Sequence, residues 1–285
     1  MFAITAITGQ VGGALARALL AQGQPVRAIV RDPGKAAAWT ARGCQMALAD
    51  MGDAQALAQA FTGCEGVFIL LPPQFDPSPE FPESRAVIAA VRSALEQAMP
   101  DRVVVLSTVG AQAPEPNLLN QLGLLEQALA DLSLPITYLR PAWFMENLQW
   151  DIAAAREHGL VPSYLQPLER RIPMVSTEDV GRAAAELLVE HWTGQRIVEL
   201  EGPAAVSPLD IAQALAQRLG HPVGTEAVPR DAWEASFRAQ GMRHPERRMQ
   251  MLDGFNAGWL CFEGLPRQGP TGLAEVVRRL VPATQ

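Results

Sequence analysis

Ile4-Thr5-Ala6-Ile7-Thr8-Gly9-Gln10-Val11-Gly12-Gly13 is the stretch on which the reading of the fold turns. It follows an apolar run that opens at Phe2 and leads straight into the helical pattern Val11–Gln22, closed by Gly23. A strand, a glycine turn and a helix in immediate succession bring backbone N–H groups and the positive end of a helix dipole to the edge of a sheet, where a diphosphate binds. Thr8 and Gly9 form the turn, Gly9 lets the backbone approach a phosphate, and Gly12 lets the helix lie close on the strand. Gln10 and Val11 offer N–H groups. Ala6 stands where the spacing GxxGxxG has its first glycine, so the turn must accommodate a methyl group.

Outward from this turn, short apolar runs alternate with helical patterns at a period of roughly 25 to 30 residues, as βα units require. The strand-like runs are Phe2–Thr8, Val26–Val30, Met46–Leu48, Val67–Leu71, Val103–Leu106 and Ile136–Leu139. They are apolar throughout and do not alternate, which is expected of strands covered on both faces. The helical patterns Ala54–Phe61 and Arg85–Ala98 end at glycine or proline signals. Pro72, Pro73, Pro77, Pro79 and Pro82 make a stiff loop after the fourth strand, expected to border the site. Beyond Phe144 the rhythm changes. A helix to Glu157, an irregular stretch Gly159–Arg171, a strand Ile172–Val175, a helix Asp179–His191 and a strand Ile197–Leu200 are expected. Ser207, Pro208 and Asp210 read as cap, first turn and capping-box acid of a helix closed by Gly220. Further helices are expected over Asp231–Gln240, Glu246–Gly258 and Leu273–Leu280. The expected architecture is α/β, a doubly wound Rossmann-type parallel sheet with a smaller C-terminal α+β layer. Residues 1–150, joined by strands and a helix returning within 172–200, form a dinucleotide-binding domain. The part over 151–285 binds substrate.

The second strand ends in Val30-Arg31-Asp32-Pro33. An acid at that place selects the ribose hydroxyls of NAD and an arginine the 2′-phosphate of NADP, so Arg31, with Lys35 as a second charge, favours NADP(H) over NAD(H). Asp32 before Pro33 is most simply the cap of the next turn. Asp50 and Met51, after the third strand, are placed beside the adenine.

Formal net charge is −7, which disfavours nucleic acid and anionic membrane surfaces as partners. Cys44, Cys64 and Cys261 fall in no metal or disulfide pattern, and no apolar run reaches the ~18 residues of a membrane span. A reduced, cytoplasmic setting is expected. His158, His191, His221 and His244 are isolated, Glu126, Glu146 and Asp179 are lone helix acids, and Arg170-Arg171 and Arg247-Arg248 are short doublets. Metal hydrolysis and serine-triad chemistry find no support in them.

Taken in order, Thr8-Gly9-Gln10-Val11-Gly12, Val26-Arg27-Ala28-Ile29-Val30-Arg31-Asp32-Pro33, Leu139-Arg140-Pro141-Ala142-Trp143-Phe144-Met145-Glu146-Asn147 and Asp179-Val180-Gly181-Arg182-Ala183-Ala184 resemble the NmrA-like atypical short-chain dehydrogenases, over roughly residues 1 to 230. The resemblance implies NADPH-dependent reduction of quinones or triphenylmethane dyes, or a regulator that binds the dinucleotide without turnover. It also implies that Leu71, Pro72, Ser107, Thr108 and Pro141 surround the nicotinamide. Trp143, Phe144 and Asn147 then face a small planar substrate, with Trp150 adding to a stacking wall.

The usual Tyr-x-x-x-Lys pair is missing: Tyr138 and Tyr164 precede Ala142 and Leu168 by four, and Lys35 is the only lysine. Many relatives carry a lysine four residues before the acid retained here as Glu126; this chain has Leu122. No residue is assigned as catalytic acid or base. Hydride delivery to a quinone or similar acceptor does without one, by proximity and orientation. The alternative is a non-catalytic NADP(H) sensor acting on a protein partner. A homodimer is compatible with either.

Overall fold

The computed structural model describes residues 1–35 and 37–282. Ala36, within the expected 1–150 domain, and 283–285, closing the expected 151–285 part, lie outside the described residues. Along the chain come β1 (Phe2–Ile4), α1 (Gln10–Ala21), β2 (Val26–Val30), α2 (Ala37–Thr40), β3 (Gln45–Leu48), α3 (Ala54–Phe61), β4 (Gly66–Ile69), α4 (Pro82–Ala98), β5 (Arg102–Leu106), α5 (Asn120–Leu129) and β6 (Ile136–Pro141). Then follow β7 (Trp143–Phe144), a 3-10 segment Met145–Trp150, α6 (Ile152–His158), β8 (Leu160–Ser163), β9 (Met174–Val175), α7 (Thr177–Val189) and β10 (Gln195–Glu201). The last elements are α8 (Pro208–Leu219), β11 (Gly224–Ala227), α9 (Trp233–Ala239), α10 (Glu246–Ala257), β12 (Arg267–Gln268) and α11 (Leu273–Leu280).

Eight strands form one sheet in the order β12-β10-β6-β5-β4-β1-β2-β3, with every pairing parallel. The chain steps outward from β1 to β3, then returns to the other flank of β1 with β4. The crevice between the C-terminal ends of β1 and β4 is therefore the topological switch point, where open α/β sheets bind ligands. This is the Rossmann-type architecture.

Strand side chains alternate between two cores. Phe2, Ile4, Phe68 and Val104 pack with Val11, Leu15 and Leu19 of α1 and Val180, Ala184 and Leu187 of α7. Ala3, Val67, Ile69, Val103 and Val105 pack with Leu57 and Phe61 of α3, Ile88 and Val91 of α4, and Leu125 and Leu129 of α5. Both faces of the inner strands are thus buried, which is why those runs lack polar alternation, whereas the edge strand β3 leaves Gln45 and Leu48 exposed. A third core, with Trp233, Phe237, Phe255 and Val276, lies in the C-terminal layer. There the capping box of Ser207 and Asp210, Pro208 in the first turn and the left-handed Gly220 close α8 as its local sequence dictates. No helix among the described residues is long and apolar enough to cross a membrane.

Four expectations require correction. β1 stops at Ile4 because the next residues bend, with Ala6 in the left-handed region. The helix expected up to Glu157 is a 3-10 segment followed by α6. Leu160–Ser163, in the stretch expected to be irregular, is extended because it pairs with β11. The strand expected over Ile172–Val175 does not return to the main sheet: Met174 and Val175 pair with Trp143 and Phe144, while Ile172 bridges to Val206. Of the two strands expected to return within 172–200, β10 alone does so, and β12 joins outside it.

α1 and α7 approach so closely that a Cβ on Gly181 would lie 2.4 Å from the Cβ of Ala14 and 2.7 Å from the backbone nitrogen of Leu15. Gly181→Val should destabilise the fold by about 1–3 kcal/mol through overpacking. A urea midpoint equal to that of the parent protein would show that the helices yield freely.

Candidate functional site

The turn after β1 is held by its own backbone. The Gly9 N–H donates to the Ala6 carbonyl at 2.9 Å, and a Cβ at residue 12 would lie 2.3 Å from that same oxygen. Residue 12 therefore has to be glycine. Ala6 adopts φ 51, a conformation that costs a residue with a Cβ about 1–2 kcal/mol. That conformational cost is accepted by the turn, which closes through the backbone bond from Gly9 to Ala6. The N–H groups of Gln10, Val11 and Gly12 carry no hydrogen bond among the described residues, Gly9 supplies no side-chain cap, and no acid occupies the first turn. These are the orphan donors of a helix N-terminus, and they fit a diphosphate. Thr5, fully buried, ties the switch point together: its hydroxyl donates to the Phe68 carbonyl at 3.0 Å and accepts from the Leu70 N–H at 2.9 Å.

The remaining residues expected at the cofactor lie just past the ends of neighbouring strands. Crossing the sheet edge from β3 to β6 they are Asp50 and Met51, Arg31, the Thr8–Gly12 turn, Leu71 and Pro72, Ser107 and Thr108, and Pro141. Five strand spacings make this row about 24 Å long. Arg31 and Lys35 are exposed and make no ion pair or side-chain hydrogen bond among the described residues. Asp32, also exposed, accepts from the Gly34 N–H at 2.8 Å, which is the capping role expected of it. Asp50 likewise accepts from Gly52 at 2.9 Å. Met51 packs on the core beside α3, Leu71 and Pro141 are buried, and Pro72 is exposed.

At the ends of β5 and β6 sits a buried charge cluster. Arg140 is 3% exposed. Its Nε and Nη2 donate to the two carboxylate oxygens of Glu126 at 2.9 and 2.6 Å, and its Nη1 reaches Glu263 at 2.5 Å and Gln112 at 3.2 Å. Burial by itself would lower the pKa of this guanidinium; the bonds to Glu126 and Glu263 outweigh it and hold the charge. The Ser107 hydroxyl donates to Glu126 as well. The cation that meets Glu126 is thus supplied by β6 and is already paired. Tyr138 turns its hydroxyl to Gln195 at 3.0 Å and the Glu126 carbonyl, and burial, helped by the charge of Glu126, pushes the phenol above its usual range. Tyr164 pairs with Ser236 at 2.6 Å in the C-terminal layer.

The four residues expected to face a substrate do not form one wall. Trp143 meets Phe255 edge-on at 5.1 Å and belongs with the C-terminal core, whereas Phe144, next along β7, packs on the core of α1 and α7. Asn147 is half-buried with no hydrogen bond to its side chain among the described residues. Trp150 is 59% exposed and meets Phe75, 52% exposed, edge-on at 6.3 Å. Phe75 comes from the proline-rich loop, whose ties to the rest of the chain include three hydrogen bonds. Gln121 donates to the Gln74 carbonyl at 3.1 Å, and Asp76 accepts from the N–H groups of Arg243 and His244 at 2.8 and 2.6 Å. A separate hollow of about 270 Å³ touches Gln10 from the α1–α7 side, but its arginines are already paired, Arg17 with Glu178 and Arg279 with Glu275. Among the described residues no group of His, Cys, Asp and Glu is arranged to hold a metal.

This geometry can be set beside known proteins. The model of the NmrA-like family matches residues 2–252. The chain belongs to the NmrA-like family. This NmrA-like chain is 27% identical over 244 residues to the NAD(P)H azoreductase of Xenophilus azovorans, covering 85% of the chain and 82% of that relative. With quinone oxidoreductase 2 of Escherichia coli (strain K12) it shares 28% over 260 residues, 90% of the chain and 87% of the relative. The crystal structure of the NADPH-dependent quinone oxidoreductase QOR2 of Escherichia coli complexed with NADPH superposes with a TM-score of 0.81 at 28% identity, over 98% of this chain and 99% of that one. Triphenylmethane reductase of Citrobacter sp., 21% identical with a TM-score of 0.78 over 98% and 99% of the two chains, shares the fold.

In this NmrA-like protein, residues not singled out from sequence also hold the elements around these strand ends: Thr5, Phe75 and Gln121. Asp151 follows Trp150, and its carboxyl has no hydrogen-bond or ion-pair partner among the described residues. Burial pushes it up to about 6. An acid whose folded value exceeds its unfolded one disfavours folding once ionised. The cost is absent below the unfolded value near about 4, builds as pH rises towards the folded value and is constant above it. Asp151→Asn should therefore gain stability relative to the parent between about pH 4 and about pH 8, read as melting temperatures; an offset equal at both pH values would contradict this. At the turn, Ala6→Val should lower the melting temperature clearly and Ala6→Gly should not, because a β-branched residue is an outlier at positive φ. Equal melting of both variants would mean the left-handed conformation is not retained in solution.

Proposed function

We propose that this protein binds NADP(H), in preference to NAD(H), across the C-terminal edge of β3 to β6 and reduces a quinone or similar planar acceptor by hydride transfer. The observation that carries the reading is the set of three unbonded N–H groups of Gln10, Val11 and Gly12 at the switch point between β1 and β4. It is supported by similarity along most of the chain to an azoreductase and a quinone oxidoreductase. The NADP preference is supported by Arg31 and Lys35, both free of ion pairs among the described residues, together with the capping bond that Asp32 accepts from Gly34.

On this reading Thr8, Gly9, Gln10, Val11 and Gly12 hold the diphosphate, Arg31 and Lys35 the 2′-phosphate, and Asp50 and Met51 flank the adenine. Leu71, Pro72, Ser107, Thr108 and Pro141 bound the nicotinamide end. A bound reduced nicotinamide supplies a hydride, and the second hydrogen of the product comes as a proton from water. The chain's own contribution is orientation and exclusion of water. Quinone oxygens bear negative charge readily, so reduction proceeds without the tyrosine–lysine pair. Trp150, with Phe75 across from it, and Asn147 meet the acceptor; Trp143 and Phe144 set the segment that carries them.

NADPH consumption with a panel of quinones and azo compounds, alongside calorimetric titration with NADPH and NADH, tests the proposal. Steady turnover is expected. Binding without turnover would instead support an NADP(H)-sensing regulator, and no binding would remove the basis of both. Arg31→Asp should weaken NADPH binding by about ten- to hundredfold, the value of a charge-assisted contact to phosphate replaced by repulsion, and shift preference towards NADH. Unchanged selectivity would refute the role given to Arg31.

A further inference from the structure

The wiring of Ser107 carries one step more. Glu126 is gripped by Arg140 through both carboxylate oxygens, at 2.9 and 2.6 Å, and Arg140 is in turn held by Glu263 and Gln112. A carboxylate in such a pair only accepts hydrogen bonds, so the contact between Ser107 and Glu126 commits the hydrogen of the serine hydroxyl to Glu126. The hydroxyl oxygen has no other partner among the described residues. A serine hydroxyl has one hydrogen to give and two lone pairs to offer. With the hydrogen spent, Ser107 presents lone pairs alone.

We infer that Ser107 recognises a hydrogen-bond donor at the nicotinamide end of the cofactor, and that Glu126 is the positioning residue that sets this polarity. The inference rests on the NADP(H) reading above. Two groups there can donate, the carboxamide N–H and a hydroxyl of the adjoining ribose. A carbonyl oxygen, whether of the cofactor or of the acceptor, receives nothing from Ser107. The same wiring removes Ser107 as a source of protons for the reduced acceptor. Arg140 and Glu263 act behind Glu126: the guanidinium holds both carboxylate oxygens of Glu126 in place, and Glu263 brings the C-terminal segment to the cluster.

The experiment compares affinities rather than turnover. NADPH, its 3-acetylpyridine analogue and an analogue with the 2′-hydroxyl of the nicotinamide ribose removed are titrated by fluorescence into the parent protein, Ser107→Ala and Glu126→Gln. The acetyl group keeps the ring carbonyl and deletes the N–H, so the two analogues distinguish the two donors. The parent should bind one analogue about tenfold more weakly than NADPH, the value of one hydrogen bond, and Ser107→Ala should lose that preference. In Glu126→Gln the donors of Arg140 claim the amide oxygen, leaving the NH2 to face Ser107 and turn its hydrogen outward. That variant should lose the preference or invert it. Ser107→Ala deletes one hydroxyl and leaves the ion pair intact, so the test survives if Glu126→Gln folds poorly. A preference of equal size in all three proteins, or none in the parent, would overturn the inference while leaving NADP(H) binding standing. Failure of the parent to bind NADPH would overturn the cofactor assignment itself, a distinct result.

Discussion

The carbonyl oxygen of Ala6 decides how the first helix can begin. It accepts from Gly9 and leaves no room for a side chain at residue 12, so α1 starts at the very edge of the sheet and its first N–H groups stay unbonded. The consequences travel. α1, pulled onto the strands, receives α7 across Gly181, where no side chain fits either. The start of α7 is capped by Ser176 and by Glu146, which accepts from the Thr177 N–H at 3.0 Å with both carboxylate oxygens. Glu146 belongs to the segment that follows β7 and ends at Trp150. One tight turn therefore fixes both the proposed phosphate cradle and, through two helices, the segment on which the acceptor side is built.

The acidic composition has a structural use. Four carboxylates each gather two donors from a distant part of the chain: Asp76 from Arg243 and His244, Glu146 from Ser176 and Thr177, Asp179 from the N–H and hydroxyl of Thr271, and Glu199 from the N–H groups of Glu263 and Gly264. Asp76 is held below the usual carboxylate range: burial opposes this, and the two backbone donors with the nearby charges overcome it. Hydrogen bonds to an ionised acceptor are worth roughly twice neutral ones. The C-terminal layer is thus bound to the sheet by charge-assisted contacts as well as by its own core, and this keeps the proline-rich loop and the Glu263 segment over the strand ends. Surface acids repel phosphate backbones; these four do a different task.

Much of the sheet could be read from the chain because its information is local. Val26–Val30, Ala54–Phe61 and Leu273–Leu280 begin and end where their own residues say, and the Ser207 capping box needs nothing beyond four consecutive positions. What could not be read depends on partners far along the chain. Met174 and Val175 pair with Trp143 and Phe144, and Leu160–Ser163 pairs with Gly224–Ala227; neither register is written in the strand concerned. Thr5 looks like any β-forming residue until Phe68 and Leu70 come beside it. That the residues proposed for the cofactor share one edge of the sheet was legible because each ends or follows a strand, and strand ends converge in this topology. The arrangement of the residues proposed for the acceptor was not. Alternation along β7 separates Trp143 from Phe144, and Phe75 arrives from a loop whose prolines showed its stiffness but not its reach.

The hydroxyl groups of Ser107 and Thr108 past the end of β5, and of Tyr138 within β6, bear on which acceptors such a site can serve. Ser107 gives its hydrogen to Glu126, Thr108 gives its own to the Val109 carbonyl at 3.2 Å, and Tyr138 is turned to Gln195 with its phenol held above the usual range. None of the three is placed to hand a proton to a substrate oxygen. A ketone reduced there would become an alkoxide to which none of these three hydroxyls gives a proton, a costly charge in a water-poor cleft. A quinone spreads the same charge over an aromatic framework and takes its proton later from solvent. On the proposed reading, selection among acceptors thus follows less from the shape of the aromatic mouth than from the direction in which three hydrogen bonds already point.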